Sequence, residues 1–320
     1  MIYSRMESAT NAAIEVKVNL SEKSKISNLG VARPFLGIEI HRDSNGTGIS
    51  LGQKTFISMI VKRFHMHHTH RVTTPMVPNL KLDLDDDRGK KELDTDGVKN
   101  YHLIVGSSIY TALATRTDIS YAVAALCQYN SCPFTSHMTA AKRVPQYLRA
   151  TADFRLHFNS NGNGNGNCGI VGCTDSDSAS DTTDRKSQGG HDGGAISWPS
   201  WKQDLITLSI SEATYMACSE ASEDVRWLLQ FQRDIHCSPS DASLLPIYCC
   251  NQGAFTHIKT GVIKGRGKHI IVCYPSSRDL HASKIVDYSY VHTNDNVADF
   301  LMKPHNTEKN TKFTKGMGLW

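Results

Sequence analysis

The chain has 320 residues, of which 39% are apolar and 21% are charged, and its formal net charge is +4 at pH 7. This composition is typical of a soluble globular protein of about two domains, and the weak positive charge is compatible with nucleic-acid binding without arguing for it. No apolar run is long enough to cross a bilayer, and the N-terminus shows no signal peptide. We therefore expect an intracellular protein, cytoplasmic or nuclear, that is not secreted and has no membrane partner.

The first 78 residues predict a β-hairpin followed by a helix. Residues 35–40 (FLGIEI) form an apolar strand pattern, Asn45-Gly46 is a strong turn signal, and residues 49–51 can return as the partner strand. Apolar side chains then recur at helical spacing over residues 53–66.

The middle of the chain predicts helices between two connectors. Residues 79–100 are acid-rich and predict a solvated linker, and residues 101–130 predict two helices with a short break. A further helical pattern at 136–149 contains Pro145, which we expect to kink or end the helix because proline removes a hydrogen bond and clashes with the preceding turn. Residues 161–167 read NGNGNGN, a flexible connector and the clearest domain boundary.

The part after this connector predicts an α/β domain. Strand patterns come first and then alternate with helices, which favours a mixed sheet with helices packed on it. The predicted strands lie at 170–171, 195–198, 205–210, 245–250 and 285–291, and the predicted helices at 212–235 and 294–302. The first of these helices is expected to have an apolar face made of Tyr215, Met216, Val225, Leu228 and Leu229.

The nine cysteines are irregularly spaced and include no C-x-x-C pair, so reduced thiols are favoured over a disulfide framework. Cys249 and Cys250 end the apolar run at 245–250. They could be a reactive pair, but buried strand cysteines are usually inert, and no basic neighbour in sequence marks an activated thiolate.

Many short motifs occur in one order and together resemble the Pol polyprotein of copia-type retrotransposons. The resemblance covers nearly the whole chain, and it is specific because of the number and order of the motifs rather than any one of them. The motifs include FLGIEI (35–40), ATRTDISYAV (114–123), TDSD (174–177), NQGA (251–254) and ADFLMKP (298–304).

The resemblance implies a division of the chain into the end of a reverse transcriptase and an RNase H domain. The family's polymerase motif, Tyr-x-Asp-Asp, is expected just upstream of a segment like residues 1–20 and is absent, so we expect no polymerase activity in these 320 residues. The expected parts are the end of the palm at 1–78, the acidic linker at 79–100, a helical thumb-like or connection-like region at 101–160, the Asn/Gly linker at 161–167 and an RNase H-like domain at 168–320.

The resemblance also implies four acidic positions that hold two divalent ions, Mg²⁺ or Mn²⁺, for cleavage of the RNA strand of an RNA–DNA hybrid. The first and fourth positions correspond to Asp175 and Asp299, which are retained as candidate metal ligands. The second and third correspond to Thr214 and Cys250, where the family has acids. With two of four carboxylates replaced, we expect metal binding to be doubtful and catalysis to be impaired.

Two further features bear on this expectation. Residues 188–192 (QGGHD) contain no apolar side chain where the family has an apolar strand, so we expect one strand of the RNase H-like sheet to be missing. The basic segment 257–269 could bind phosphates or be a solvated loop. Its candidate nucleic-acid-binding residues are Lys259, Lys264, Arg266 and Lys268.

Several functions therefore stay open at this point. The chain could be a degenerate RNase H domain with a reverse-transcriptase remnant, or a residually active nuclease that uses Asp177 or Glu212 as substitute ligands. It could also be a nucleic-acid-binding module without chemistry, or a relic without present function. The expected partner is an RNA–DNA hybrid or another nucleic acid, and no small-molecule substrate is expected.

Overall fold

The computed structural model describes thirteen stretches of the chain. At residues 159, 188–192 and 232 it describes the backbone but not the side chain. The connector 161–167 and three predicted phosphate-binding cations, Lys264, Arg266 and Lys268, lie outside the described residues. Within the described part, no helix has the length and apolar character needed to cross a membrane. The stretches are 18, 21–25, 34–43, 48–78, 80, 82, 92–159, 171–177, 188–192, 196–207, 209–234, 244–260 and 276–320.

The protein is mixed α/β, and its first sheet has four antiparallel strands in the order β1-β2-β3-β4. The predicted hairpin is confirmed, because β2 pairs with β3 with Arg42 opposite Ile49. The single strand predicted at 35–40 is wrong, because a turn at Leu36-Gly37 divides it into β1 and β2, which pair antiparallel. The fourth strand was missed: it lies within the region predicted to be helical, and it pairs with β3 so that Arg155 lies opposite Gly52. The strands are β1 Pro34–Phe35, β2 Ile38–Arg42, β3 Gly48–Gly52 and β4 Arg155–Asn159.

Residues 318–320 cover the other edge of β4. The amide of His157 donates to the carbonyl of Gly318 over 2.8 Å, and the amide of Arg155 donates to the carbonyl of Trp320 over 2.9 Å. Leu319 is fully buried opposite Leu156. Gly318 has a φ of 78°, a conformation that favours glycine. The tail therefore closes a strand edge that would otherwise present unpaired backbone groups.

Four helices form the first core. The second of them starts at Thr95 and so includes the last six residues of the predicted linker, because the Asp94 carboxylate accepts a capping hydrogen bond from the amide of Gly97 over 2.8 Å. Buried apolar side chains from all four helices meet, including Ile57, Tyr101 and Val123. The helices are α1 Lys54–Arg63, α2 Thr95–Ala114, α3 Ser120–Cys127 and α4 Thr135–Ala150.

Pro145 was predicted to kink or end its helix, and the second of these outcomes is wrong. Helix α4 continues to Ala150, and Pro145 is itself buried. Its neighbours Val144 and Leu148 are fully buried in the first core. Proline costs a helix about 3 kcal/mol, and the burial of this apolar face offsets that cost, since tertiary packing supplies most of a helix's stability.

A buried arginine connects α2, α4 and the segment before β4. Arg116 is fully buried, and its guanidinium makes two hydrogen bonds to the carboxylate of Asp118, at 2.9 and 2.7 Å. It also donates to the carbonyl of Thr151 over 3.0 Å and to its hydroxyl over 2.5 Å. The rings of Tyr147 and Phe154 each lie 5.5 Å from the guanidinium carbon. Every side of this cation therefore meets a charged, polar or aromatic partner.

The second sheet has five strands in the order β7-β6-β5-β8-β9. Strands β5, β6 and β7 pair antiparallel, whereas β5, β8 and β9 pair parallel. The strand predicted at 205–210 is wrong, since residues 205–207 are irregular and a helix begins at 210. The strand predicted at 195–198 is displaced to 200–202. The strands are β5 Gly172–Ser176, β6 Gln188–Asp192, β7 Ser200–Lys202, β8 Leu245–Cys249 and β9 Val286–Tyr290.

The prediction of a missing strand is also wrong, because Gln188–Asp192 forms β6 despite its lack of apolar side chains. Gly190 lies opposite Asp175 of β5 on one side and opposite Ser200 of β7 on the other. Backbone pairing on both sides does not need apolar side chains, and strand preference depends strongly on such context.

Helix α5 packs on this sheet and supplies much of the second core. The apolar face predicted for it is confirmed, since Tyr215, Met216, Val225 and Leu228 are all buried. They join a core cluster that includes Ile247 of β8. The helices of this part are α5 Ile210–Asp234, α6 Gln252–Thr260, α7 Ser276–Ala282, the 3₁₀ helices Thr293–Asp295 and Val297–Leu301, and α8 Thr307–Gly316.

Candidate active site

Asp175 lies on the central strand β5 and is almost fully buried, with 3% of its surface exposed. Its Oδ1 accepts hydrogen bonds from the amide of Ser176 at 2.8 Å and from the thiol of Cys250 at 3.1 Å. Burial raises the pKa of Asp175 to about 6; the Cys250 bond opposes this rise, and the charge of Asp299 adds to it. Asp175 is therefore ionised at neutral pH but gives up its proton less readily than an exposed aspartate.

Asp299 lies on the 3₁₀ helix Val297–Leu301. Hydrogen bonds of Asn296 connect the start of this helix to β5. The Asn296 carboxamide caps this helix by accepting from the amide of Ala298 at 3.2 Å and donates to the carbonyl of Thr174 at 3.0 Å. Because Thr174 precedes Asp175 on β5, this bond holds the two carboxylates at the same end of the sheet. Sequence reasoning did not identify Asn296, although an asparagine preceding a short helix is a recognisable capping signal.

The carboxylate of Asp299 contacts the cationic side chain of a nearby lysine. The Lys303 ammonium lies 2.5 Å from Oδ1 of this fully buried carboxylate, and Nε2 of His305 lies 3.3 Å from Oδ2. The Lys303 contact is ionic, whereas Nε2 of His305 also lies 3.1 Å from the backbone carbonyl of Asp299. Within the described residues, neither carboxylate oxygen of Asp299 has a well-aligned hydrogen bond. Burial lowers the pKa of His305, which favours the neutral imidazole. Lys303 was not predicted as part of the site, although its position four residues after Asp299 is the spacing of a helical ion pair.

Thr214 lies one turn after the start of α5 and is buried next to the end of β5. Its hydroxyl lies 3.0 Å from the hydroxyl of Ser176 and also donates to the carbonyl of Ile210 over 2.8 Å. It therefore contributes a neutral hydroxyl that is already hydrogen-bonded.

Cys250 follows β8 and presents a protonated thiol to Asp175. Burial, with the charge of Asp175 as the next cause, raises the pKa of this thiol to about 12. Cys250 is therefore neither a thiolate nucleophile nor an anionic metal ligand near neutral pH. Cys249 points instead into the second core and is 1% exposed. These environments favour the structural interpretation of the cysteine pair over the reactive one.

The arrangement does not fit two divalent ions. It offers two carboxylates, one of them paired with Lys303, together with a protonated thiol and a hydrogen-bonded hydroxyl. Mg²⁺ prefers oxygen ligands and near-octahedral geometry. No group of three or more His, Cys, Asp or Glu in the described ranges is arranged to hold a metal ion.

Asp177 and Glu212, the two acids considered as substitute metal ligands, do not complete a metal-binding group with Asp175 and Asp299. Asp177 lies close enough to Tyr121 of α3 that its charge adds to burial in raising the pKa of that phenol to about 12. Glu212 is buried two residues before Thr214, a spacing that does not share a helix face.

Lys259, the one described member of the predicted phosphate-binding set, lies on α6. Its ammonium lies 4.1 Å from the centre of the Phe255 ring and 3.9 Å from a carboxylate oxygen of Asp287. The side chain is 40% exposed, so its charge reaches solvent beside the start of the basic segment.

Comparisons with known proteins identify relatives along almost the whole chain. The family model described as "Reverse transcriptase (RNA-dependent DNA polymerase)" matches residues 6–78. The retrovirus-related Pol polyprotein from transposon TNT 1-94 of Nicotiana tabacum is 32% identical over 316 residues, which cover 95% of this chain and 23% of the relative. The retrovirus-related Pol polyprotein from transposon RE1 of Arabidopsis thaliana is 32% identical over 305 residues, which cover 94% of this chain and 20% of the relative.

A shorter relative matches part of the chain. The secreted RxLR effector protein 161 of Plasmopara viticola is 39% identical over 132 residues, which cover 40% of this chain and 90% of the relative. No solved structure matches the chain. The chain spans about a fifth of the length of these two Pol polyproteins, and along almost all of its own length it is related to copia-type, retrovirus-related Pol polyproteins.

Proposed function

We propose that residues 168–320 are an RNase H-like domain of the type that cleaves RNA–DNA hybrids, that residues 1–160 are the end of a reverse transcriptase, and that the nuclease is catalytically impaired. One observation carries this proposal: where the implied site needs a carboxylate, Cys250 donates a thiol proton to Asp175 over 3.1 Å. An uncharged donor thus stands in the place of a metal ligand.

The sheet supports the RNase H-like part of the proposal. The resemblance implies acids on the first strand, the first long helix, the end of the following strand and a late helix. The corresponding positions, Asp175, Thr214, Cys250 and Asp299, lie on β5, α5, the end of β8 and a 3₁₀ helix that is fastened to β5. The four positions therefore converge, although two of the required side chains have changed.

The reduced negative charge of the candidate active site supports the proposal that the nuclease is catalytically impaired. Two dications bring four positive charges, which the implied site balances with four carboxylates. Here two carboxylates remain, and the Lys303 ammonium at 2.5 Å already offsets the charge of Asp299. Since opposite charges stabilise each other strongly in a poorly solvated site, the loss of two anions weakens the binding of both ions.

Hybrid cleavage tests the proposal. We expect the purified wild-type chain to cleave a labelled RNA–DNA hybrid slowly or not at all with Mg²⁺ or Mn²⁺. The double variant Thr214→Glu/Cys250→Asp is expected to gain measurable, metal-dependent cleavage, because it restores both carboxylates. The neutral pair Thr214→Gln/Cys250→Ser is the matched control and is expected to gain none, and Asp175→Asn should abolish the activity of the restored variant. Robust wild-type cleavage that disappears in Asp175→Asn would contradict the impairment.

A second candidate function is nucleic-acid binding without chemistry. It is favoured by the half-exposed ammonium of Lys259, which lies at the start of a segment that also contains Lys264, Arg266 and Lys268. Cations that contact phosphates release counterions, so their binding weakens as salt rises.

Filter binding or fluorescence anisotropy tests this function. With a labelled RNA–DNA hybrid, we expect binding that weakens with NaCl and a smaller salt slope in Lys264→Ala/Arg266→Ala. The matched control Lys99→Ala/Lys23→Ala removes two lysines elsewhere and should leave the slope unchanged. Undetectable or salt-independent binding would count against this function.

A further inference from the structure

Helix α8, near the C-terminus, packs on both halves of the chain, which we call the first part (residues 1–160) and the second part (residues 168–320). One of its faces is packed within the second part, because Phe313 and Met317 are buried in a cluster with Phe300. The helix is therefore fixed to the second part by packing as well as by sequence.

Another face of α8 contacts the first part. Asn310 is 4% exposed, and its amide nitrogen donates to the hydroxyl of Tyr147 on α4 over 3.1 Å. The Tyr147 ring is buried against Arg116, so this bond joins α8 to the buried contacts of that arginine. Thr307 lies three residues before Asn310, a spacing that shares a helix face, and its hydroxyl lies 2.8 Å from that of Thr73.

The last three residues of the chain extend this contact along β4. Besides the hydrogen bonds from β4 described above, the amide of Trp320 donates to the carbonyl of Arg155 over 3.2 Å. The Trp320 indole stacks on the imidazole of His157, with ring centres 4.3 Å apart. Leu319 is fully buried in a cluster with Leu156 of β4. Residues of the second part therefore complete the first sheet.

Trp198 of the second part links the same surfaces. Its indole nitrogen donates to the carbonyl of Ala112 on α2 over 2.8 Å. Its ring packs against two apolar clusters, one containing Phe313 of α8 and the other containing Leu156 and Leu319. The contacts of α8, the last three residues and Trp198 thus form one continuous interface between the two parts.

None of these contacts involves residues 161–167, so a cut in that connector removes none of them. The cut removes only the high effective concentration that a covalent tether provides. Separation of the two parts, in contrast, would expose Leu156 and Leu319 to water and leave the backbone groups at the edge of β4 without their protein partners.

We propose that the first and second parts stay bound to each other when the connector is cut, and that residues 307–320 are the docking segment that the first part recognises. Proteolysis within the connector therefore nicks the chain without releasing the second part. The inference does not rest on the nuclease proposal and holds whether or not the hybrid is cleaved.

The full chain tests this inference when a protease recognition sequence takes the place of residues 161–167. After folding and complete cutting, size-exclusion chromatography with light scattering is expected to show a single species with about the mass of the uncut chain, 35.4 kDa. That mass identifies one copy of each part held together without a covalent bond. Separate elution or precipitation of either part would overturn the proposal, and so would a species of about twice that mass, because it would place the interface between copies.

Two matched truncations test the role of the docking segment. Serial dilution of the cut protein, followed by fluorescence anisotropy of a dye at the N-terminus, gives the dissociation constant. Leu319→Ala removes a side chain buried between the parts and is expected to raise this constant about ten-fold or more, which corresponds to about 1.4 kcal/mol or more. Leu280→Ala, buried in the second core on α7, is the control and should leave the constant unchanged. Circular dichroism of the uncut variants checks that both fold, and the elution of the cut wild type decides the proposal if either does not. An equal rise in both folded variants, or no rise for Leu319→Ala, would overturn the proposal.

Discussion

Arg116→Ala is expected to lower the free energy of unfolding by about 3–5 kcal/mol, because it leaves the buried Asp118 carboxylate without its cation. Burial by itself lowers the pKa of the guanidinium, but the adjacent charge of Asp118 outweighs this effect and raises it, so the pair is charged in the folded state. The substitution also removes both hydrogen bonds to Thr151 and the contact with the Tyr147 ring.

Denaturant unfolding measures this loss, and two further variants separate its causes. Arg116→Lys keeps the charge but not the two-pronged bond, so we expect a smaller loss than for alanine. Arg226→Ala, at an exposed position on α5, is the control and should have little effect. An Arg116→Ala protein as stable as wild type would contradict the view that buried Arg116, through its contacts with Asp118, Tyr147 and Thr151, stabilises the packing of α2 and α4.

Asp175→Asn is expected to stabilise the metal-free protein at high pH and to remove part of its pH dependence. The pKa of Asp175 rises from an ordinary value of 3.8 to about 6 in the folded state, mainly through burial. The folded state therefore holds this proton more tightly than the unfolded state. The stabilisation that results is complete below about pH 4 and is lost as the pH rises through about 6; a shift of this size corresponds to about 3 kcal/mol.

The measurement is the difference in unfolding free energy between wild type and Asp175→Asn, with a chelator present, from pH 4 to pH 8. Taking the difference cancels other titrating groups, including His305, whose lowered pKa acts in the opposite direction as the pH falls. As the pH rises, the unfolding free energy of Asp175→Asn should increase relative to that of wild type by up to about 3 kcal/mol. Asp279→Asn, at an exposed position, is the control with an expected flat difference, and a flat difference for Asp175→Asn would contradict the prediction.

Local patterns predicted the elements that depend on local chemistry. The strands on either side of Asn45-Gly46 and the apolar face of α5 are where the sequence placed them, because turn chemistry and helical periodicity act over a few residues. The convergence of Cys250 with Asp175 came from the family resemblance, since no local pattern relates residues that lie 75 positions apart.

The failures at Pro145, β6 and β4 involve partners that are distant in sequence. Pro145 is tolerated because its helix is buried, and residues 188–192 form a strand because backbone partners lie on both sides. The spacing of four residues could place Lys303 near Asp299. The burial of the Asp299 carboxylate, which strengthens this ion pair, depends on packing against β5 and could not be predicted from the local sequence. Strand β4 was missed for the same reason, since its partners precede it by about 100 residues and follow it by about 160.

The pairing of residues 318–320 with β4 has a consequence for how the protein is made. During translation, strands β1 to β4 are all synthesised before the residues that cover β4, and more than 150 further residues must be added before that edge can be closed. Contacts with such long sequence separation form late, and an open strand edge can meanwhile pair with another chain. On the ribosome, the edge of β4 therefore lacks its native partner until residues 318–320 have been synthesised, and this edge is where the incomplete chain most needs protection from aggregation.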